Sequence, residues 1–209
     1  MILLDGKRIS NEIYSELQQK ILKLNKLHFV PTLAIIQVGD LPASNIYIRN
    51  KMNVCTRLGF KCQLFKLKED VSQAAIISKI KTINNNSNIH GLLVQLPLPK
   101  GIDENAIISA IDPIKDVDCF NLTNIGSLWT QKQKIEGVYP CTALGIVELL
   151  KRSKVSIDGK HVVIVGRSNI VGKPLAALML LENATVTICH SHTKNLAKIC
   201  STAQILVVA

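Results

Sequence analysis

An α/β fold, parallel sheets wrapped by helices, is predicted by three observations in the sequence. The first is a rhythm of alternating helical and strand patterns. The second is a five-residue run rich in β-branched side chains, His161-Val162-Val163-Ile164-Val165, that empties into a glycine turn, Gly166-Arg167-Ser168-Asn169-Ile170-Val171-Gly172-Lys173-Pro174. Such a run reads as a buried parallel strand, and the glycine at its end lets backbone approach an anion at the N-terminus of the next helix. The third is a loss of periodicity between about 112 and 140, where Asp112-Pro113, Gly126, Gly137 and Tyr139-Pro140 give the composition of a connection between domains.

Taken in order, the N-terminal half predicts a helix near 10–26, a strand over Leu33–Val38, a helix near 43–58, a strand over 60–66, a helix near 72–83 and a strand over Gly91–Gln95. Asn84-Asn85-Asn86-Ser87-Asn88 is a polar breaker before that last strand. Thr142 is placed to cap a helix running to about Arg152, and strands over 161–165, 184–189 and Ile205–Val208 follow. The expected division is an α/β domain over 1–118, a connection over 119–141 and a Rossmann-like domain over 142–209. A nucleotide-binding half of this kind takes more strands than the chain supplies before Ala209, so the expectation is a C-terminally truncated sequence.

Composition excludes several classes. With 209 residues and 47% apolar content the chain can pack real cores. Met1-Ile2-Leu3-Leu4 is interrupted by Asp5, which leaves no signal-peptide core, and no stretch approaches the ~20 apolar residues that span a bilayer. No membrane association and a cytoplasmic location are expected. The six cysteines are scattered without C-x-x-C or metal spacing, as reduced thiols would be. A net charge of +10 raises nucleic acid, but Lys and Arg are spread along the chain and aromatics are only 4%, so no nucleic-acid partner is expected. A polyanionic small molecule accounts for the same surplus.

Several residues are candidates for chemistry. Tyr47 and Lys51 stand at i and i+4, on one face of the helix expected from about 43. A phenol beside an ammonium is a proton-transfer pair, and partial burial, by disfavouring the charged amine, suits such a lysine to acid/base work near neutrality. The same spacing also describes an ordinary amphipathic helix with a snorkelling lysine. Gln95 ends a strand before Leu96-Pro97-Leu98-Pro99, at a carboxyl-end rim where α/β sheets bind ligands; its amide can bond a substrate or the lysine, or simply face water. Asp116 and Asp118 alternate but lack a His or Glu to complete a ligand set, and His190-Ser191-His192 lacks partners too, so no metal is expected. A single aspartate accepting from a ligand's N–H groups is the better functional reading of that pair. An acid roughly 20 residues past the turn would hold an NAD ribose. Ile188-Cys189-His190-Ser191-His192-Thr193-Lys194 has none, and with Arg167 beside the turn glycine this favours NADP.

In order, Ser44-Asn45-x-Tyr47-x-x-x-Lys51, Val94-Gln95-Leu96-Pro97-Leu98-Pro99, Lys115-Asp116-Val117-Asp118, Tyr139-Pro140-Cys141-Thr142 and Gly166-Arg167-Ser168-x-x-Val171-Gly172-x-Pro174 closely resemble the bifunctional methylenetetrahydrofolate dehydrogenase/methenyltetrahydrofolate cyclohydrolase family. The resemblance implies an enzyme of one-carbon metabolism, serving purine biosynthesis. It would oxidise 5,10-methylenetetrahydrofolate with NADP and hydrolyse the methenyl product to 10-formyltetrahydrofolate. It implies Lys51 as general acid/base, supported by Tyr47 and tuned by Gln95, with Asp118 anchoring the pterin and Ser44 lining the same site. It implies Arg167, Ser168 and Ser191 at the NADP phosphates, with Gly166 and Gly172 shaping the turn, Thr142 near the nicotinamide, and a homodimer. Cys119 stands where the family usually has glycine, and Ala143 where proline is common. The alternative reading is a catalytically silent truncated remnant.

Overall fold

The computed structural model describes residues 3–130 and 137–209. Met1 and Ile2, part of the apolar start weighed above, and residues 131–136 of the expected connection lie outside the described residues. The chain divides into two compact units, one formed by Ser10–Val117 and the other by Asp118–Ala209 with the residues up to Ile9. Each is built on a three-stranded parallel sheet.

The chain enters through α1 (Gly6–Lys26), which starts four residues earlier than expected. Asp5 is the reason: its carboxylate accepts from the Arg8 N–H at 3.0 Å and its carbonyl from the Ile9 N–H, so it caps the first turn. In the Ser10–Val117 unit, β1 (Thr32–Val38) lies between β2 (Lys61–Leu67) and β3 (Gly91–Val94). Both pairings are parallel, with Leu33 opposite Cys62 on one side and Gly91 on the other. Strand alternation then sorts the core. Ala34 and Ile36 pack with Ile76, Ile80 and Ile83 of α3 (Gln73–Asn84) and Ile107 of α4 (Glu104–Ser109). Ile35 and Leu93 instead pack with Ile48 of α2 (Pro42–Leu58).

Local chemistry sets the ends of these elements. Pro42 stands in the first turn of α2, and Gly59 at φ 87° closes it, its N–H reaching the Thr56 carbonyl. The Phe60 N–H is drawn back to the Cys55 carbonyl at 2.9 Å, so β2 begins at Lys61, one residue later than the pattern alone suggests. Ser72 caps α3 by accepting from Ala75, and Asp103 caps α4 by accepting from Asn105 and Ala106.

The second unit holds α5 (Leu122–Thr130), α6 (Cys141–Arg152), β4 (His161–Val165), α7 (Gly172–Leu181), β5 (Thr185–Cys189), α8 (Leu196–Cys200) and β6 (Ile205–Val208). Its sheet runs β5-β4-β6, again parallel. The stretch that loses periodicity in the sequence nevertheless contains α5, which buries Leu128 in the core of α6, α7 and β4. Thr142 does not cap α6. Pro140 occupies the N-cap without a side-chain bond, and Thr142 lies exposed inside the first turn, because the helix begins one residue before it. Among the described residues no helix is long and apolar enough to cross a membrane.

Candidate active site

In the first unit α2 and the end of β3 bring two of the sequence candidates together. Lys51, half-buried on α2, donates from Nζ to Gln95 Oε1 at 3.3 Å. Gln95 sits one residue past β3, its N–H bonded to the Ile36 carbonyl at 2.9 Å, which fixes it at the carboxyl-end rim of the sheet. Its Nε2 donates to the Leu96 carbonyl at 2.8 Å, and that bond decides which end of the amide faces the lysine. The lysine therefore meets an acceptor that cannot take its proton, and the amine stays oriented while free to exchange with a third group. Ser44 is 5% exposed on the same helix, whereas Tyr47 is 63% exposed.

The Lys115–Asp118 segment is set by packing against β3. Leu92 pairs with Asp116, and a Cβ at Gly91 would come within 2.5 Å of Val117 Cγ1, so only glycine admits this approach. Lys115 donates to the Ile83 carbonyl at 2.9 Å and the Asn86 carbonyl at 2.7 Å, tying the segment to the end of α3. Spacing gives no signal for that role, since β3 and α4 separate Lys115 from α3 along the chain. Asp116 is 2% exposed, while Asp118 is half-buried and opens the second unit beside Cys119, which is buried at φ 57°. A cysteine in the left-handed region explains why glycine suits this position.

In the second unit the turn after β4 is drawn tight by its glycines. Gly166 has φ 137°, and a Cβ there would lie 2.7 Å from the Ala209 carbonyl oxygen. A Cβ on Gly172 would overlap the Gly166 carbonyl, so the start of α7 sits against the turn as only glycine permits. Ser168 Oγ accepts from the Val171 and Gly172 N–H groups at 3.1 and 3.3 Å, folding the turn on itself. The N–H groups of Arg167, Ser168, Asn169 and Ile170 then take no partner among the described residues, and the Arg167 side chain is exposed beside them. Free amides beside an exposed guanidinium are groups an anion can bind. Ser191 is exposed just after β5, in a His190–Thr193 turn closed by the Thr193 hydroxyl accepting from the His190 N–H at 2.8 Å. No acid stands in that turn. Among the described residues no three His, Cys, Asp or Glu side chains converge as a metal would need.

Residues 4–118 match the family model described as tetrahydrofolate dehydrogenase/cyclohydrolase, catalytic domain, and residues 140–209 match its NAD(P)-binding domain. The chain belongs to the tetrahydrofolate dehydrogenase/cyclohydrolase family. It is 50% identical to the bifunctional protein FolD of Agathobacter rectalis over 207 residues, which is 99% of the chain and 73% of that relative. The FolD of Streptococcus agalactiae is 48% identical over 208 residues, 72% of its length. Among solved structures of the family, the methylenetetrahydrofolate dehydrogenase/cyclohydrolase FolD of Campylobacter jejuni aligns with a TM-score of 0.97 at 41% identity, over all of the chain and 73% of the other. The Trypanosoma brucei enzyme, complexed with NADP cofactor and inhibitor, aligns at 0.93 and 35% identity, over all of the chain and 71% of the other.

Proposed function

We infer that this protein oxidises 5,10-methylenetetrahydrofolate to the methenyl form with NADP and hydrolyses that product to 10-formyltetrahydrofolate. The observation that carries the reading is the Lys51–Gln95 pair at 3.3 Å, set on a chain whose two family domains match in order.

Residues 1–118 supply the folate side and residues 142–209 the NADP side, with 119–141 connecting them. When bound, the nicotinamide accepts the hydride. Gly166, Arg167, Ser168, Gly172 and Ser191 hold the dinucleotide phosphates, and Thr142 borders the nicotinamide. The missing acid after β5 favours a 2′-phosphate over a bare ribose hydroxyl. On the folate side the exposed Tyr47 ring offers a stacking surface, Ser44 lines the site, and Asp118 accepts from the pterin N–H groups.

Hydrolysis demands more of the chain's own side chains. The methenyl group is a cation, so water adds to its carbon without a metal, provided a base removes the proton and an acid returns it to the departing ring nitrogen. Lys51 performs both transfers from one position, Gln95 keeps its amine aimed, and Tyr47 supports the exchange. The protein acts in the cytoplasm as a homodimer, supplying one-carbon units to purine biosynthesis, with neither nucleic acid nor membrane as partner.

The direct test supplies 5,10-methylenetetrahydrofolate and NADP to the purified chain and follows the methenyl chromophore. A rise followed by decay to the formyl product supports both activities. A rise without decay removes the hydrolase, and no rise removes the dehydrogenase.

A further inference from the structure

β1 carries a glutamine in an aliphatic run: Ala34, Ile35, Ile36 and Val38 are all buried, and Gln37 between them is 2% exposed. Burying a carboxamide there costs free energy unless it is hydrogen-bonded. Gln37 Nε2 donates to Asn45 Oδ1, in the first turns of α2, at 2.6 Å. Asn45 Nδ2 donates to Asp40 Oδ1 at 2.8 Å, and Lys66 Nζ of β2 donates to the same oxygen at 2.8 Å. The direction of every link follows from the charged end. An ammonium only donates and a carboxylate only accepts, so Asn45 turns its NH2 to Asp40 and its oxygen to Gln37.

This chain of bonds ties the edge strand, the loop after β1, the start of α2 and the central strand together. It ties down a helix start that has no cap of its own, since Leu41 at the N-cap of α2 gives no side-chain bond. Ser44 precedes Asn45 directly, and Tyr47 and Lys51 follow on the same helix. The outer Lys66–Asp40 pair is exposed and adds little stability by itself. Its effect is to order the partners so that the buried amide link forms in one sense.

We propose that Gln37, Asn45, Asp40 and Lys66 are positioning residues that set the seat of α2 on the sheet and thereby hold Ser44, Tyr47 and Lys51 for folate chemistry. The proposal rests on Lys51 as proton carrier. It matters because a misplacement of about 1 Å at such a group can cost about a hundredfold in rate.

A reciprocal exchange tests it. Asn45→Asp alone sets two carboxylates against each other and removes the donor between them. Asp40→Asn combined with Asn45→Asp restores the inner order: the introduced amide at 40 donates to the introduced carboxylate at 45, which still accepts from Gln37, while the exposed Lys66, which shares one oxygen with Asn45 in the native chain, turns to the other arm of the amide. Asn45→Asp should raise amide exchange across residues 44–51 by about tenfold and lower methenyl hydrolysis per folded molecule by about tenfold, with NADP affinity unchanged. The double variant should return exchange and hydrolysis to within about twofold of wild type. Unchanged exchange in Asn45→Asp, or no recovery in the double variant, would overturn the proposal. Wild-type hydrolysis by Asn45→Asp with Lys51→Met inactive would overturn the positioning chain alone, whereas wild-type hydrolysis by Lys51→Met would overturn the reading of the lysine beneath it.

Discussion

At the scale of single residues, the thiols of Cys55 on α2 and Cys62 on β2 show how burial sets reactivity. Burial, together with Cys55 beside it, pushes the Cys62 thiol up to about 11, and burial raises Cys55 as well. Both thiols should therefore be protonated at pH 8, and Cys62 should react with iodoacetamide far more slowly than the exposed Cys141, as peptide mapping by mass spectrometry would show. The sign for stability follows from the direction: the contribution of Cys62 is complete below the ordinary 9.0 and is lost as pH rises toward about 11. Asp40 behaves oppositely. Hydrogen bonds from Lys66 and Asn45, with the charge of Lys66, hold its carboxyl below the usual carboxylate range, so what it contributes is present above its ordinary 3.8 and disappears as pH falls through the lowered value. Thermal melts between pH 2 and 5 should show that acid loss in the wild type and less of it in Asp40→Asn. The approach of Lys51 to Gln95 was legible in the sequence because each lies in a motif of distinctive spacing. Gln37 carried a weaker signal, one polar residue inside an apolar strand, whose meaning depends on which helix covers that face.

At the scale of elements, the strands and long helices were legible because their periodicity is strong, and the errors lie where local bonds override pattern. The pattern puts Phe60 in a strand although its N–H turns back to the end of α2, and puts Thr142 at a cap although the helix starts before it. The short helices α4 and α5 escaped notice, one for want of length and the other because the glycine and polar residues around it mask the apolar positions that bury Leu128. The glycines at element junctions give sharp tests. Gly172→Ala would drive a methyl group into the Gly166 carbonyl, moving the start of α7 off the turn and weakening NADP binding at least about tenfold, measurable by calorimetry. Lys115→Met removes two hydrogen bonds from a charged donor to carbonyls near the end of α3 and should cost about 2–5 kcal/mol in denaturant unfolding, with the loss concentrated in amide exchange over residues 112–117.

At the scale of the molecule, two parallel sheets each bury their own core, and a clearly two-part sequence pattern foretold that arrangement. Ile36 belongs to one core and Met179 to the other, with no shared buried neighbour. Each change to alanine should cost about 2–5 kcal/mol, and the double variant should show the sum of the two. The net charge of +10 adds a field that acts on anionic ligands at a distance. Apparent KM values for folate and NADP should accordingly rise as salt shortens the screening length below ~10 Å at about 0.1 M, while kcat changes little. Hydride transfer and hydrolysis are separated most cleanly by supplying the methenyl compound without NADP. Under those conditions Lys51→Met should leave the chromophore decaying at the uncatalysed rate while the wild-type chain clears it about a hundredfold faster or more. If the variant cleared it as fast as the wild type, proton transfer would not run through this lysine.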